Sequence, residues 1–321
     1  MRPIKSAIAA VLAGGLALTV VACGSDDEPS SSTATAATVI KHNRGETSID
    51  GVPERIVALG NQWLDAVQSL GVTPVAYIDT VAAVAGGTPE WEPATLQQAK
   101  PLDPQGDVVE QIAAQNPDLI LVPDYLADQA TFDKLAKFAP TVGSLTSAGV
   151  DPWRDQVSAL GKILHKQDEA AKVVGDIDAE ITAAAARHPA LQGKTFTSTF
   201  LFTSTQLVVS NDPKDGSTEL FSRLGLTIPQ SLVDQRGAMG RLTLSPERIG
   251  DLTADLLVVT ATPDLQEAFK RLPGYDNLPA VRADSIAFVD MAAGSGINQP
   301  TPLNVPYLLD KLEPTFAAAA K

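Results

Sequence analysis

Cysteine and histidine are scarce in this sequence of 321 residues, which contains one cysteine and three histidines. A single cysteine cannot form an intramolecular disulfide, so we expect hydrophobic packing alone to hold the core. The histidines are His42, His165 and His188, and none of them follows a predicted strand. Metal sites in proteins are built from clusters of histidine, cysteine and carboxylate side chains. We therefore expect surface histidines and no metal site on the protein itself.

Basic side chains are outnumbered by acidic ones, with 24 Lys and Arg against 38 Asp and Glu and a net charge of −14. Nucleic-acid binding requires basic patches, so this balance argues against a nucleic-acid partner. The balance says little about a small ligand, because the charges inside a binding site can differ from the overall charge.

Catalytic motifs are absent as well, since the sequence contains no G-x-S-x-G, H-E-x-x-H or G-x-G-x-x-G. The segment QGKT at residues 192–195 resembles the end of a phosphate-binding loop. His188 occupies the position of the first glycine, however, and the segment lies between a helix and a strand in the wrong order. We therefore predict no enzymatic activity. A purely structural cell-wall protein is one class that the sequence allows.

The sequence has no apolar run of the roughly 20 residues that a membrane-spanning helix needs. The apolar run at residues 7–22 follows Arg2 and Lys5, which is the pattern of an export signal. It ends at Cys23, and the whole segment resembles the lipobox of bacterial lipoproteins. The resemblance implies cleavage before Cys23, acylation of its thiol and anchoring at the outer face of the cytoplasmic membrane. An ordinary signal peptide or an uncleaved anchor is the alternative.

The N-terminal region therefore divides into a lipoprotein signal peptide at residues 1–22 and a second segment at residues 23–38. The second segment is rich in Ser, Thr and Ala and has too little bulk to pack, so we predict a disordered tether.

Residues 39–150 alternate between strand and helix patterns. A β-branched run at residues 55–60 is followed by a predicted helix, capped by Asn61, and by a second strand at residues 72–78. Such strand–helix–strand units form parallel sheets. Further helices are predicted at residues 108–115 and 128–137, and further strands at 118–122 and 140–145. This region is predicted to be an N-terminal α/β lobe.

One long helix is predicted at residues 152–187, within a connecting segment that we place at residues 151–189. The segment lacks proline after Pro152, and its apolar residues recur at spacings of three, four or seven. A single helix of this length would extend over about 54 Å. We expect it to run along both halves of the protein.

A second α/β pattern occupies residues 190–321. Strands are predicted at residues 194–202, 207–210, 256–260 and 285–290, and helices at 217–224, 246–252 and 302–319. The predicted fold is two three-layer α/β lobes, each with a mainly parallel sheet, joined by one long backbone helix.

One sequence unit occurs in both halves. EQIAAQNPDLILV at residues 110–122 and ERIGDLTADLLVV at residues 247–259 share five of thirteen residues. Each copy begins with a glutamate, Glu110 or Glu247, and is predicted to form a helix, a turn and a buried strand.

This unit, the segment ETSIDGVPERIVALG and the predicted connecting helix resemble the substrate-binding lipoproteins of ABC importers for iron–siderophores, haem and cobalamin. The resemblance implies a monomer that binds its ligand between two rigidly joined lobes. It also implies that Glu110 and Glu247 bind arginine residues of the permease dimer, which works with an ATPase. The alternative is that each glutamate only stabilises a helix N-terminus.

Ligands of open α/β sheets bind beyond the carboxyl ends of the strands, so residues that follow strands are candidates for contact. Aromatic side chains would form walls against a large chelate, and arginines would donate to its oxygens. The siderophore would supply all the iron ligands, so no cofactor is required. The candidates are Asn61, Trp63, Trp91, Tyr125, Phe202, Arg236, Met239, Arg241 and Met291.

The class of ligand is suggested by one departure from the resembled family. Some of its members have an arginine before the first-lobe glutamate, whereas PLDPQGDV at residues 101–108 has none. A neutral or cationic ferric hydroxamate is therefore favoured over an anionic catecholate. Haem or cobalamin is the alternative, with Tyr125, Met239 or Met291 as possible axial ligands.

Overall fold

The structure is a computed structural model that describes residues 37–235, 237–238 and 240–321. The predicted signal peptide, Cys23 and all but the end of the predicted tether lie outside these residues. Thr38, which we assigned to the tether, begins strand β1. The described residues belong to one compact unit. None of the helices within the described ranges is both long and apolar enough to cross a membrane.

A short β-hairpin begins the described chain, with strands β1 (Thr38–His42) and β2 (Gly45–Ile49) paired antiparallel. The hairpin is followed by the sheet of the first lobe, whose strands are β3 (Ile56–Leu59), β4 (Ala76–Ile78), β5 (Lys100–Pro101), β6 (Leu119–Leu121) and β7 (Thr141–Val142). All strands of this sheet are parallel, in the order β5-β4-β3-β6-β7. Every residue of β3 and β6 is apolar and buried, as expected for central strands covered on both faces.

Four helices belong to the first lobe: α1 (Asn61–Ser69), α2 (Thr80–Ala85), α3 (Val108–Ala113) and α4 (Gln129–Leu135). A 3-10 helix covers Ala94–Gln98. Side chains cap three of the helices, since Asp79, Asp107 and Asp128 accept hydrogen bonds from the first turns of α2, α3 and α4. Asn61 does not cap α1 as predicted. It is the first residue of that helix, and Gly60 takes the cap position with φ 76°.

The predicted single connecting helix is wrong, because the chain folds back on itself at this point. Helix α5 (Trp153–Ile163) and helix α6 (Gln167–Arg187) are separated by a turn in which His165 has φ 54°. Arg154 Nε donates to Asp178 Oδ1 at 2.8 Å, although the two residues are 24 apart in sequence. The two helices are therefore antiparallel, and α6 is about 31 Å long. The periodicity misled the prediction because each helix buries its own apolar stripe.

The second lobe begins after α6. Its strands are β8 (Phe196–Thr203), β9 (Gln206–Ser210), β10 (Arg241–Leu244), β11 (Leu256–Ala261) and β12 (Ile286–Val289). Its helices are α7 (Glu219–Arg223), α8 (Gln230–Val233), α9 (Pro263–Lys270), α10 (Pro279–Arg282), α11 (Met291–Asn298) and α12 (Asn304–Ala319). The sheet order is β10-β9-β8-β11-β12. Strands β8, β11 and β12 are parallel, whereas β9 and β10 pair antiparallel, so this sheet is mixed.

The repeated sequence unit forms a helix, a turn and a strand in both lobes, but the helix is the α-helix α3 in the first lobe and the 3-10 helix Pro246–Asp251 in the second. Its strand is β6 in the first lobe and β11 in the second, and each pairs parallel with the lobe's first strand, β3 or β8. The shared aspartate has one role. Asp118 accepts from the backbone N–H of Arg55 at 2.8 Å, just before β3, and Asp255 accepts from that of Thr195 at 2.7 Å, just before β8. The unit therefore anchors the start of one parallel strand to the next.

The helical hairpin connects the two lobes. Helix α5 packs against α1 and β1 of the first lobe, and α6 packs against α7 and α12 of the second. One cluster of buried apolar side chains extends continuously from Ile40 through both helices to Ala319. A second, smaller cluster lies within the first lobe, between Val57 and Ala139. The two-lobe α/β architecture is thus confirmed, with a packed hairpin as its connection.

Candidate functional site

A cavity of about 330 Å³ lies between the two lobes. On the first-lobe side it lies beyond the carboxyl ends of β4 and β6, where ligands of open α/β sheets bind. On the second-lobe side it is formed by β8, β9, β10 and α11. Its walls combine aromatic, aliphatic and amide side chains, which is typical of small-molecule sites. The lining residues are Thr80, Val81, Val84, Tyr125, Phe200, Phe202, Val208, Ser210, Arg241, Ser295, Asn298 and Gln299.

Tyr125 reaches across the cavity, as its predicted role requires. Its hydroxyl donates to Gln299 Oε1 at 3.1 Å, which joins the loop after β6 to the end of α11. Burial of the hydroxyl raises its pKa, so the phenol remains neutral. The side chain is nevertheless 42% exposed, because one face of the ring is turned to the cavity. A side chain at Gly60 would overlap the Tyr125 hydroxyl, which explains the glycine there.

Two phenylalanines form the aromatic wall of the second lobe. Phe200 and Phe202 are two residues apart on β8 and therefore lie on the same face of the strand. Their rings are stacked, with centroids 5.3 Å apart and an angle of 16° between the planes. Phe202 is 58% exposed, which is unusual for a phenylalanine in a folded protein. The sequence predicted Phe202 but missed Phe200.

Arg241 lines the cavity with all its N–H groups already used. Nε and Nη2 donate to Asn298 Oδ1 at 3.1 and 2.6 Å. Nη1 and Nη2 each donate to Asp215 Oδ1 at 3.3 Å, and Nη1 also donates to the carbonyl of Gly240 at 3.0 Å. Guanidinium has five N–H groups, so all of them have partners within the protein.

Asn61 lies beneath the cavity and does not line it. Its Nδ2 donates to Asp79 Oδ1 at 2.7 Å, and its Oδ1 accepts from Thr80 Oγ1 at 2.8 Å and from the backbone N–H of Val81 at 2.9 Å. The side chain is completely buried. Asn61 therefore fixes the start of α2, which carries the first-lobe wall.

Three predicted contact residues lie elsewhere. Trp63 is fully buried in the core, and Met291 begins α11 without lining the cavity. Trp91 contacts the second lobe instead of the cavity. Its ring lies 5.2 Å from that of Tyr307 and packs closely against Gly296, so it belongs to the contact between the lobes. Arg236 and Met239 lie outside the described residues.

Two helices that line the cavity, α2 and α11, were not predicted from the sequence. The second of them is α11. Its sequence MAAGSGIN resembles a flexible loop, yet both glycines are required by packing. A side chain at Gly294 would overlap Thr260, and one at Gly296 would press on Trp91. The helix brings Ser295, Asn298 and Gln299 to the cavity, and no sequence signal identified them.

The sequence matches the family described as Periplasmic binding protein over residues 56–293. The chain belongs to the periplasmic binding protein family. Members of this family bind ligands and are not enzymes, which agrees with the lack of catalytic motifs. The resemblance inferred from the sequence is thus confirmed at the level of the family.

Relatives of this periplasmic binding protein come from bacteria. Fe(3+)-citrate-binding protein YfmC of Bacillus subtilis (strain 168) is 27% identical over 267 residues, 78% of each chain. "Probable siderophore-binding lipoprotein YfiY" of the same organism is 26% identical over 92% of this chain and 93% of the relative. The crystal structure of a periplasmic solute binding protein from Mycobacterium smegmatis str. MC2 155 has a TM-score of 0.74 at 27% identity, covering 89% of this chain and 99% of that one.

None of the three histidines of this binding protein lines the cavity. His42 and His188 are buried, so their predicted surface positions are wrong, whereas His165 is exposed in the turn between α5 and α6. His188 Nε2 lies 2.7 Å from a carboxylate oxygen of Glu313. Within the described residues, no group of three or more His, Cys, Asp or Glu side chains is arranged to hold a metal ion.

The two glutamates of the repeated unit are both exposed. Glu110 lies in the first turn of α3, and Glu247 lies in the first turn of the 3-10 helix Pro246–Asp251. Neither carboxylate takes part in an ion pair with another described residue. The position in the first turn agrees with dipole stabilisation, and the exposure leaves both carboxylates accessible to a partner.

Proposed function

We propose that this periplasmic binding protein captures a ferric siderophore between its lobes and delivers it to the permease of an ABC importer. The observation that carries the proposal is the cavity between the lobes, in which two stacked phenyl rings and two amide side chains of the second lobe lie opposite the hydroxyl groups of Thr80 and Tyr125 in the first. Aromatic walls bind a large chelate with little loss of side-chain freedom. The names of the two Bacillus subtilis relatives, one for Fe(3+)-citrate and one for siderophores, support this ligand class.

The iron would enter with its chelator and not as a free ion. The lining residues that the structure describes are aromatic, aliphatic, hydroxyl- or amide-bearing, with one arginine and no carboxylate or imidazole among them. Fe(III) bound directly to the protein would require several carboxylate oxygens or imidazole nitrogens as ligands. A chelate that already satisfies its metal needs only shape, apolar contact and hydrogen bonds. Within this class we favour a hydroxamate, as the lack of arginine in residues 101–108 suggested.

The protein would work at the outer face of the cytoplasmic membrane. Acylation of Cys23 would hold it there, and the segment between Cys23 and β1 would serve as a tether. Acyl chains contribute roughly 0.8 kcal/mol per buried CH₂, so more than one chain gives stable anchoring. We propose that it acts as a monomer.

Docking to the permease would use Glu110 and Glu247. Each belongs to the same structural unit of its lobe, so a two-subunit permease would meet one carboxylate per subunit. Arginine pairs with carboxylate through two parallel hydrogen bonds, which fixes orientation as well as affinity. The exposure of both side chains supports this role.

The proposal is tested by calorimetric titration of the chain from residue 24 onward, which contains the whole compact unit. The panel contains a ferric hydroxamate, a ferric catecholate, ferric citrate, haem and cobalamin. We expect saturable binding of a ferric siderophore. Binding of haem or cobalamin alone would contradict the ligand class, and binding of none would contradict the proposed function.

A matched pair of variants locates the binding site. Phe202→Ala removes part of the cavity wall, whereas Phe138→Ala removes a phenylalanine of similar exposure, 53%, that does not line the cavity. We expect Phe202→Ala to weaken binding by about tenfold, the effect of roughly 1.4 kcal/mol of lost aromatic contact. The Phe138 variant should bind like the unchanged protein. Equal affinities of both variants would place the ligand elsewhere.

A further inference from the structure

Arg241 is the charged residue among the described lining residues of the cavity, and its positive charge is paired with the carboxylate of Asp215. Asp215, whose side chain is 1% exposed, lies 3.3 Å from Arg241 Nη2. Asp215 Oδ1 also accepts from the backbone N–H of Ser217 at 3.0 Å, and its Oδ2 accepts from that of Val150 at 3.1 Å. The carboxylate is therefore held in place by the backbone and cannot follow Arg241 towards a ligand.

The guanidinium would have to abandon these partners to bind an anion. All five N–H groups are occupied, so each new bond to a ligand would replace one to Asn298, Asp215 or Gly240. Separating the pair would leave a buried carboxylate without its counter-charge, which is strongly unfavourable. An anionic ligand would also approach the fixed charge of Asp215.

The same contacts orient Asn298. The two hydrogen bonds that Arg241 donates to Asn298 both end on Oδ1, so the amide nitrogen Nδ2 points away from Arg241. No hydrogen bond among the described residues uses Nδ2 as a donor, and Asn298 lines the cavity. Arg241 thus presents a neutral N–H₂ group to the ligand. A neutral amide is a suitable donor to the oxygens of an uncharged chelate.

We propose that Arg241 is a positioning residue that holds Asn298 as the donor, and that the cleft consequently selects ferric chelates without net negative charge. This inference rests on the proposed function, because it specifies the charge of the ligand in the same cavity. It predicts binding of neutral and cationic trishydroxamates and rejection of triscatecholates. The affinity for a neutral chelate should not depend on salt, since no net charge is paired on binding.

The test compares three ferric chelates by calorimetry with the chain from residue 24 onward. The probes are ferrichrome, which is neutral, ferrioxamine B, which is cationic, and ferric enterobactin, which is strongly anionic. We expect at least one hydroxamate to bind and ferric enterobactin to bind at least about a hundredfold more weakly, as expected for unfavourable charge juxtaposition. Added salt should leave the affinity for ferrichrome, the neutral hydroxamate, unchanged.

Variants separate positioning from direct charge recognition. Asn298→Ala and Arg241→Gln should each weaken hydroxamate binding by about fivefold to tenfold, the value of one net hydrogen bond. The double variant Asn298→Ala/Arg241→Gln should bind the hydroxamate no more weakly than either single variant, because both substitutions remove the same interaction. The double variant Asp215→Asn/Arg241→Gln removes both charges together. It therefore tests the loss of Asn298 positioning without leaving an unpaired buried carboxylate.

Two results would overturn the inference. Tight binding of ferric enterobactin that is lost in the Arg241→Gln variant would show that Arg241 binds anions directly. Additive losses in the double variant of Arg241 and Asn298 would show that the two residues act independently. If no chelate binds to a chain that still unfolds cooperatively, the proposed function itself fails, and the charge selection fails with it.

Discussion

Tyr125 shows how one side chain can serve both lobes and the ligand. Its hydroxyl is bound to Gln299 of the second lobe, while one face of its ring remains open to the cavity. The close approach over Gly60 fixes the ring, because any side chain at that position would occupy the place of the hydroxyl. A ring held at its far end loses little freedom when a ligand packs on it. Tyr125 is thus preorganised for contact.

Charge reversal of Glu110 and Glu247 separates docking from ligand capture. We expect the double variant Glu110→Lys/Glu247→Lys to retain its ligand affinity, because both residues are exposed and lie outside the cavity. Uptake of radiolabelled ferric ligand by cells should be lost, because lysine would repel arginines of the permease.

The matched control for this prediction is Glu169→Lys/Glu180→Lys on α6, which changes the net charge equally at two exposed positions. Glu169 lies in the first turn of α6, so the control also tests the dipole explanation. Uptake that survives in the variant of Glu110 and Glu247 would remove the docking role.

Predictions of single site residues succeeded where a loop follows a strand. They failed where tertiary packing determines the position of the side chain. Tyr125 and Phe202 end or follow strands, and both line the cavity. Trp91 is likewise an aromatic residue in a loop, but its ring packs against the ring of Tyr307 in the other lobe. Trp63 is buried because it lies on the core face of α1. Aromatic type and loop position cannot distinguish a ligand wall from an inter-lobe contact.

The hairpin of α5 and α6 depends on close contact at Gly161. A Cβ atom there would lie 2.5 Å from the Cβ of Ala170, so only glycine allows the two helices to approach this closely. The turn at His165 adopts a left-handed conformation, which costs about 1 kcal/mol or more for a residue other than glycine. Packing between the helices offsets that cost.

Substitutions at the two glycines of the hairpin should have opposite effects. Gly161→Ala should lower the free energy of unfolding by about 1–3 kcal/mol, because the added methyl group forces the helices apart. Gly175→Ala in α6 is the control, since no atom lies within 4 Å of a Cβ placed there. It should raise the stability by about 0.5–1 kcal/mol through helix propensity alone. Urea unfolding measures both, and stabilisation by both substitutions would refute close packing at Gly161.

Elements with a strong apolar pattern were predicted within a few residues, as for β3, β6, β11 and α12. Two of the failures have clear physical causes. Continuous helical periodicity does not reveal a tight turn, so α5 and α6 were merged. Glycines required by close packing resemble glycines of a loop, so α11 was missed and its three cavity residues with it.

The two lobes are joined by polar contacts as well as by the hairpin. Thr301, between α11 and α12, is fully buried and donates to Asp65 Oδ2 of α1 at 2.5 Å. Gln62 Nε2 donates to the carbonyl of Pro300 at 3.2 Å, and Trp91 packs on Tyr307. Such contacts favour small movements of the lobes over a wide hinge closure.

The junction between the lobes contains two neighbouring carboxyl groups, those of Asp65 and Glu92. Glu92 accepts from Gln68 Nε2 at 2.9 Å. Asp65 Oδ1 and Glu92 Oε1 have no hydrogen-bond partner among the described residues. Burial raises the pKa of Asp65 well above its ordinary value of 3.8, and the charge of Glu92 raises it further. Burial also raises the pKa of Glu92 above 4.5.

These raised pKa values predict a loss of stability with rising pH. The unfolded chain releases both protons near the ordinary carboxyl pKa values, whereas the folded protein retains a proton to higher pH. The resulting stabilisation is fully present below the ordinary values and is lost as the pH rises through the raised pKa. Each proton retained only by the folded protein adds about 1.4 kcal/mol to the free energy of unfolding for every pH unit between the ordinary and the raised pKa.

The double variant Asp65→Asn/Glu92→Gln keeps the shape of the pair and removes its titration. We expect its free energy of unfolding in urea to fall less steeply than that of the unchanged protein between about pH 5 and about pH 8. Glu90→Gln removes an exposed carboxylate from the same loop and should leave the slope unaltered. Parallel pH profiles for the unchanged protein and the double variant would mean that folding does not raise the pKa values of Asp65 and Glu92.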